Sequence, residues 1–145
     1  MKRALLICAL VVTLASVLSA HEVRPAYLEL RQTGAETYDA LWKVPGQGDL
    51  RFGLYAQLPA ICTNVREPSG SVANSACIER WTVNCPGGLS GGTIHIAGLS
   101  TTVVDVLVRL ERLDGSSEVT RLTPSSPSFV VAAAASAVGV ARTYT

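Results

Sequence analysis

Residues 104–111 read VDVLVRLE. Val104, Val106, Val108 and Leu110 fall on one side of an extended chain, and Asp105, Arg109 and Glu111 on the other. An apolar period of two with β-branched residues on the apolar side is the pattern of a half-buried strand. Downstream, Asp114-Gly115 is a hairpin turn signal followed by a second extended stretch, Glu118 to Thr123, and residues 127–132 supply a final strand. Upstream, Ile94 and Ile96 straddle His95, and Trp81, Val83 and Cys85 alternate with Arg80, Thr82 and Asn84. Leu50, Phe52 and Leu54 alternate, as do Tyr38, Ala40, Trp42 and Val44, and Ala26, Leu28 and Leu30. Turn chemistry separates these runs at Pro45-Gly46-Gln47-Gly48-Asp49, Pro68-Ser69-Gly70-Ser71, Pro86-Gly87-Gly88 and Gly91-Gly92. No helical stripe appears after residue 20. About eight or nine short, mainly antiparallel strands with turns roughly every 8 to 12 residues predict an all-β sandwich.

The first 20 residues read differently. Lys2 and Arg3 form a positive start, Ala4 to Leu18 is apolar apart from Thr13 and Ser16, and Ser19-Ala20 offers a small-residue cleavage site. That order predicts a secretory signal peptide over residues 1–20. The rival is an uncleaved anchor, and Leu18 stands where cleavage prefers a small residue. The run is nevertheless short for a spanning helix, which needs about 20 apolar residues. Cys8 lies too early, after a bulky Ile7, for a lipid-attachment cysteine. The mature chain is therefore expected to begin at His21 outside the cytoplasm, with one domain over residues 21–133. Residues 134–145, small and alanine-rich at first, read as a linker or tail.

Composition excludes some partners. The full chain carries 12 Lys and Arg against 11 Asp and Glu. Loss of Lys2 and Arg3 leaves 10 basic and 11 acidic side chains, a net charge of −1. A near-neutral chain with no basic run argues against nucleic acid and against an anionic membrane surface. Three cysteines follow the leader: Cys62, Cys77 and Cys85. An oxidising compartment implies one disulfide and one spare thiol. If residues 77–85 form one extended strand, its end cysteines lie roughly 26 Å apart, and a disulfide needs Cα atoms within about 7 Å. Cys62 then pairs with either of them. A two-residue hairpin at Ser69-Gly70 would set Cys62 opposite Cys77. The absence of a C-x-x-C spacing argues against zinc.

Several stretches, taken in order, resemble one family: AHEVRPAYLEL (20–30), YDALWKVPGQGDLRFGL (38–54), LPAIC (58–62), ERWTVNCPGGLSGGTIHIAGL (79–99), TTVVDVLVRL (101–110) and RLTPSSPSFVV (121–131). Together they are similar to the extracytoplasmic N-terminal region of HupE/UreJ-type membrane proteins, over nearly all of the mature chain. The resemblance implies a β-rich domain leading into transmembrane helices that carry the metal motif linked to nickel or cobalt. VARTYT (140–145) resembles the approach to the first of those helices. The resemblance carries metal transport onto no residue of this chain. The resemblance also implies Cys62 and Cys85 as the disulfide, with Cys77 as the free thiol.

Candidate chemistry is sparse. An N-terminal His21 would offer an α-amine and an imidazole on one residue, a donor set suited to weak binding of Cu(II) or Ni(II), with Glu22 able to add an oxygen. Its bland alternative is an ordinary residue after a cleavage site. His95, between two inward isoleucines, is expected to face solvent. Asp105 and Arg109 read as solvated or cross-strand paired, and Trp42 and Trp81 as core. Two histidines and no G-x-S-x-G elbow leave little for a hydrolase, and PGGLSGG lacks the lysine and helix of a phosphate loop. The expectation is a non-catalytic, exported module with no resident cofactor. It would bind a partner or collect metal for transmembrane helices of the same protein or of a membrane partner, in nickel/cobalt uptake or hydrogenase/urease maturation. The alternative is a free-standing periplasmic binding protein, and a small secreted enzyme has the least support.

Overall fold

The computed structural model describes residues 24–47, 50–51 and 53–134. The leader, His21, the turn at Gly48-Asp49 and the tail from residue 135 lie outside the described residues. Among the described residues ten strands follow one another: β1 (Ala26–Gln32), β2 (Thr37–Gln47), β3 (Leu50–Arg51), β4 (Tyr55–Gln57), β5 (Thr63–Ala73), β6 (Ala76–Asn84), β7 (Thr93–Ala97), β8 (Val106–Glu111), β9 (Ser117–Leu122) and β10 (Ser128–Val130). Among the described residues the one helical element is a 3-10 turn at Leu99–Thr101.

Two sheets form the all-β sandwich expected from the alternation. The larger runs β5-β6-β2-β1-β8-β9, with β3 paired to the end of β2, and the smaller runs β10-β7-β4. Neighbours pair antiparallel except β1 and β8, which are parallel from Ala26 beside Val106 to Arg31 beside Glu111. Because cross-strand partners share a face, one face of the larger sheet collects Leu28, Trp42, Val83 and Val108, which pack against Ile94 and Ile96 of β7. Burial of such side chains contributes about 1.5–3 kcal/mol each. The buried indole of Trp42 donates to the Leu54 carbonyl at 3.3 Å, so its one polar atom is satisfied.

The glycine-rich stretch is structural. Leu89 is buried at its centre, its N–H donates to the Tyr38 hydroxyl at 3.1 Å, and Gly91 and Gly92 exchange hydrogen bonds with Val131. Gly92 has no room for a side chain, since a Cβ there would stand 2.7 Å from the Pro59 ring. Gly98 is more constrained still: its φ is +84°, and a Cβ would fall 2.2 Å from the Gly53 carbonyl oxygen.

Two turn expectations are corrected. Pro68-Ser69-Gly70-Ser71 lies inside β5, and the hairpin reverses instead at Asn74-Ser75, where φ is 50° and 59°. Positive φ at both central residues is the backbone of a type I′ turn, and asparagine tolerates it. Pro68 fits because β5 is an edge strand, where a missing N–H costs no ladder bond. Pro45 to Gln47 likewise continue β2, with Pro45 opposite Ala76.

Candidate functional site

The disulfide joins Cys62 to Cys85 across the open base of the β5–β6 hairpin, and Cys77 is a free, half-buried thiol. The hairpin argument for Cys62 with Cys77 assumed an unbroken ladder turning at Ser69-Gly70. In the structure β5 uses 11 residues against 9 in β6, and bulges at Asn64/Arg66 and Arg66/Ser69 absorb the difference. Thr63 thereby meets Asn84, which places Cys62 beside Cys85, while Cys77 faces Val72 and Val44.

His95 lies on β7 opposite Gln57 and Ser128, on the side away from Ile94 and Ile96 and half-buried rather than fully exposed. His21, the residue singled out for metal binding, is outside the described residues. Among those described, no three His, Cys, Asp or Glu side chains gather as metal ligands.

Charge is concentrated on the outer face of the larger sheet. Glu29 accepts from the Tyr27 hydroxyl at 2.8 Å and from Arg31 at 3.4 Å, and Arg31 also reaches Glu111 at 3.2 Å. Arg109 pairs with Glu111 at 2.8 Å, and Arg121 forks onto Asp105. The Asp39 carboxylate accepts from the Thr82 hydroxyl at 2.8 Å. Partial burial first, then the hydrogen bond to Glu29, holds the Tyr27 phenol above its ordinary pKa.

Four described cations on this side have no such partner: Arg24, Lys43, Arg66 and Arg80. Arg66 and Arg80 line a groove of about 490 Å³ with Glu29, Arg31, Asp39 and Thr82. Arg24 and Lys43 line a neighbouring depression of about 300 Å³ beside Tyr27 and Asn74. The carboxylates within the groove are engaged by the contacts above. Glu67 has no partner among the described residues, but it does not line the groove.

A second polar cluster lies just after β10. Arg112, its side chain 10% exposed, donates to Glu118 and to the Ala132 carbonyl, each at 2.8 Å, and the Ala132 N–H donates to the other Glu118 oxygen at 3.3 Å. The hairpin at Asp114-Gly115 sets this up by placing Glu118 opposite Leu110.

Sequence reasoning missed the Arg66/Arg80 groove because it placed a turn at Pro68-Ser69-Gly70-Ser71, inside β5. The available signal was Val65-Arg66-Glu67, a β-branched and charged run just after Cys62. No family model matches this chain, and no curated protein matches it.

Proposed function

We propose that the chain is a non-catalytic, extracytoplasmic β-sandwich domain of a HupE/UreJ-type membrane protein serving nickel or cobalt uptake or hydrogenase or urease maturation. The observation that carries the extracytoplasmic part is the Cys62–Cys85 disulfide. Structural disulfides persist in oxidising compartments and are rare in the cytosol. The family part is supported by the ordered motifs from AHEVRPAYLEL to RLTPSSPSFVV. The clamp at Ala132 supports a fixed chain exit, which suits a domain tethered through residues 134–145. Its role would be partner binding, through the outer face of the larger sheet. Metal collection would rest on His21, with weak affinity for Ni(II) or Cu(II).

A free-standing periplasmic binding protein is the second reading. The 490 Å³ groove would serve it as a binding surface, as it would serve a tethered domain. Fractionation of the natural gene product separates the two. A tethered domain stays with the inner membrane after carbonate washing and is cut by protease added to spheroplasts, whereas a free protein appears in the osmotic-shock fluid. Recovery in the cytosol with reduced cysteines would overturn both readings. Intact mass decides the leader, since cleavage after Ala20 leaves a chain beginning at His21. Calorimetric titration with Ni(II) then compares that chain with His21→Ala; equal binding would remove His21 from any metal role.

A further inference from the structure

We propose that β5 takes an acidic segment of another protein in extended conformation, added as a strand to its open edge, with acidic side chains reaching over β5 to the arginines of the outer-face groove. The proposal rests on the partner-binding part of the function above and is independent of the membrane part.

Two separate observations converge on this occupant. The first is charge. Arg66 on β5 and Arg80 on β6 line one groove, and neither guanidinium has a hydrogen bond or ion pair among the described residues. The groove's acids offset only part of this charge: Asp39 accepts from the neutral Thr82 hydroxyl and keeps its charge, Glu29 is shared by Tyr27 and Arg31, and three arginines face these two carboxylates. Arginine presents a planar fork matched to carboxylates.

The second is backbone. All 11 residues of β5 are exposed, and the strand has a ladder partner on one side, β6. Its first half is blunted against pairing by Arg66, Glu67, Pro68 and both bulges. Its second half, Ser69–Ala73, is uncharged and in regular register with β6. Such an edge leaves main-chain donors and acceptors open to an added strand. That strand would lie about 4.8 Å from β5, with alternate side chains on the outer face within reach of Arg66 and, across β5, of Arg80. Phosphate or a lipid headgroup would use the arginines and leave the edge idle.

The test is titration of the isotope-labelled full chain, at low and physiological salt, with an acetylated and amidated eight-residue peptide of alternating Glu and Thr. Saturable binding is expected, with amide shifts at residues 66, 67 and 69–73 and at Arg80, weakening as salt rises. The same peptide with Gln for Glu, and the Glu peptide N-methylated throughout, should each bind at least tenfold more weakly. The double variant Arg66→Gln/Arg80→Gln should also lose at least tenfold while its remaining amide spectrum is unchanged. If that variant fails to fold, the two altered peptides decide the matter on the unaltered protein. Absence of saturable binding by the Glu peptide, undiminished binding by the double variant, or equal binding of the methylated peptide would each overturn the proposal. Inorganic phosphate or phosphatidylglycerol vesicles shifting the same residues as strongly as the peptide would overturn it too, in favour of a simple anion site or a membrane contact. A failed titration leaves the fractionation result untouched, so the two readings fail separately.

Discussion

β8 and β5 are both strands of the larger sheet, and they are opposites in every other respect. β8 lies between β1 and β9, and Val106, Val108 and Leu110 are buried at every second position. β5 lies at the edge, pairs with β6, and buries none of its 11 residues. The contrast shows what hydrophobic alternation reports. It is a signature of burial on one face, not of extended backbone, so a strand with two solvated faces carries no such signal. In β5 the turn chemistry of Pro-Ser-Gly-Ser then dominates the reading, although bulges and an edge position accommodate it.

The contrast predicts unequal sensitivity to mutation. Leu110→Ala in β8 should cost about 2–5 kcal/mol, since it removes a buried side chain from a packed core. Val72→Ala in β5, where the side chain is 69% exposed, should change stability by no more than about 0.5 kcal/mol. Urea denaturation midpoints compare the two directly. A large loss at Val72 would show that β5 is covered in solution.

β5 nevertheless depends on one strong tie, the disulfide at its base. Cys62→Ala/Cys85→Ala should destabilise by about 3 kcal/mol on the chain-entropy model for a loop of this length. Cys77→Ser, at a free and half-buried thiol, should cost clearly less, and thermal melts of the two variants would establish the order.

The sandwich's two kinds of ion pair sharpen the same distinction. Arg112→Met should cost about 1–2 kcal/mol, because it leaves the part-buried Glu118 carboxylate without its cation, whereas the carbonyl of the exposed Ala132 turns to water. Arg31→Gln, at a side chain 60% exposed, should cost less than about 1 kcal/mol, and added salt should erase even that. Equal losses at the two positions would mean that the chain exit is not clamped.

The smallest effect lies at Tyr27. Its phenol is raised in the folded state, so its contribution is present below the ordinary tyrosine pKa of about 10 and is lost as pH rises through the higher folded value. The stability difference between the wild type and Tyr27→Phe should therefore fall above about pH 10. A difference that grows there would reverse the sign of the shift.

Legibility followed burial. Among the described residues the alternating runs around Leu28, Trp42, Val83, Ile94 and Leu110 lie in the core, since each owes its pattern to one buried face, while Leu50 and Phe52 lie outside the residues whose side chains are described. The parallel pairing of β1 with β8 was not readable, because strand periodicity says nothing about which strand comes next in space. Nor was the groove, whose arginines come together only after two bulges shift the register between β5 and β6. The Arg112–Glu118 clamp was half legible: Asp114-Gly115 announced the hairpin, but the return of Ala132 depends on β10 joining the second sheet.

The bulged edge strand β5 is pinned at its base by the Cys62–Cys85 disulfide, and the cysteine pairing tests that register directly. Trypsin separates the three cysteines cleanly, into residues 52–66, 67–80 and 81–109. A non-reducing tryptic map of the protein, alkylated as it is taken from cells, therefore reads the pairing in one step. The account predicts peptide 52–66 linked to 81–109, with Cys77 alkylated in 67–80. Linkage of 52–66 to 67–80 would contradict the bulged register of β5, and alkylation of all three cysteines would contradict the oxidising compartment.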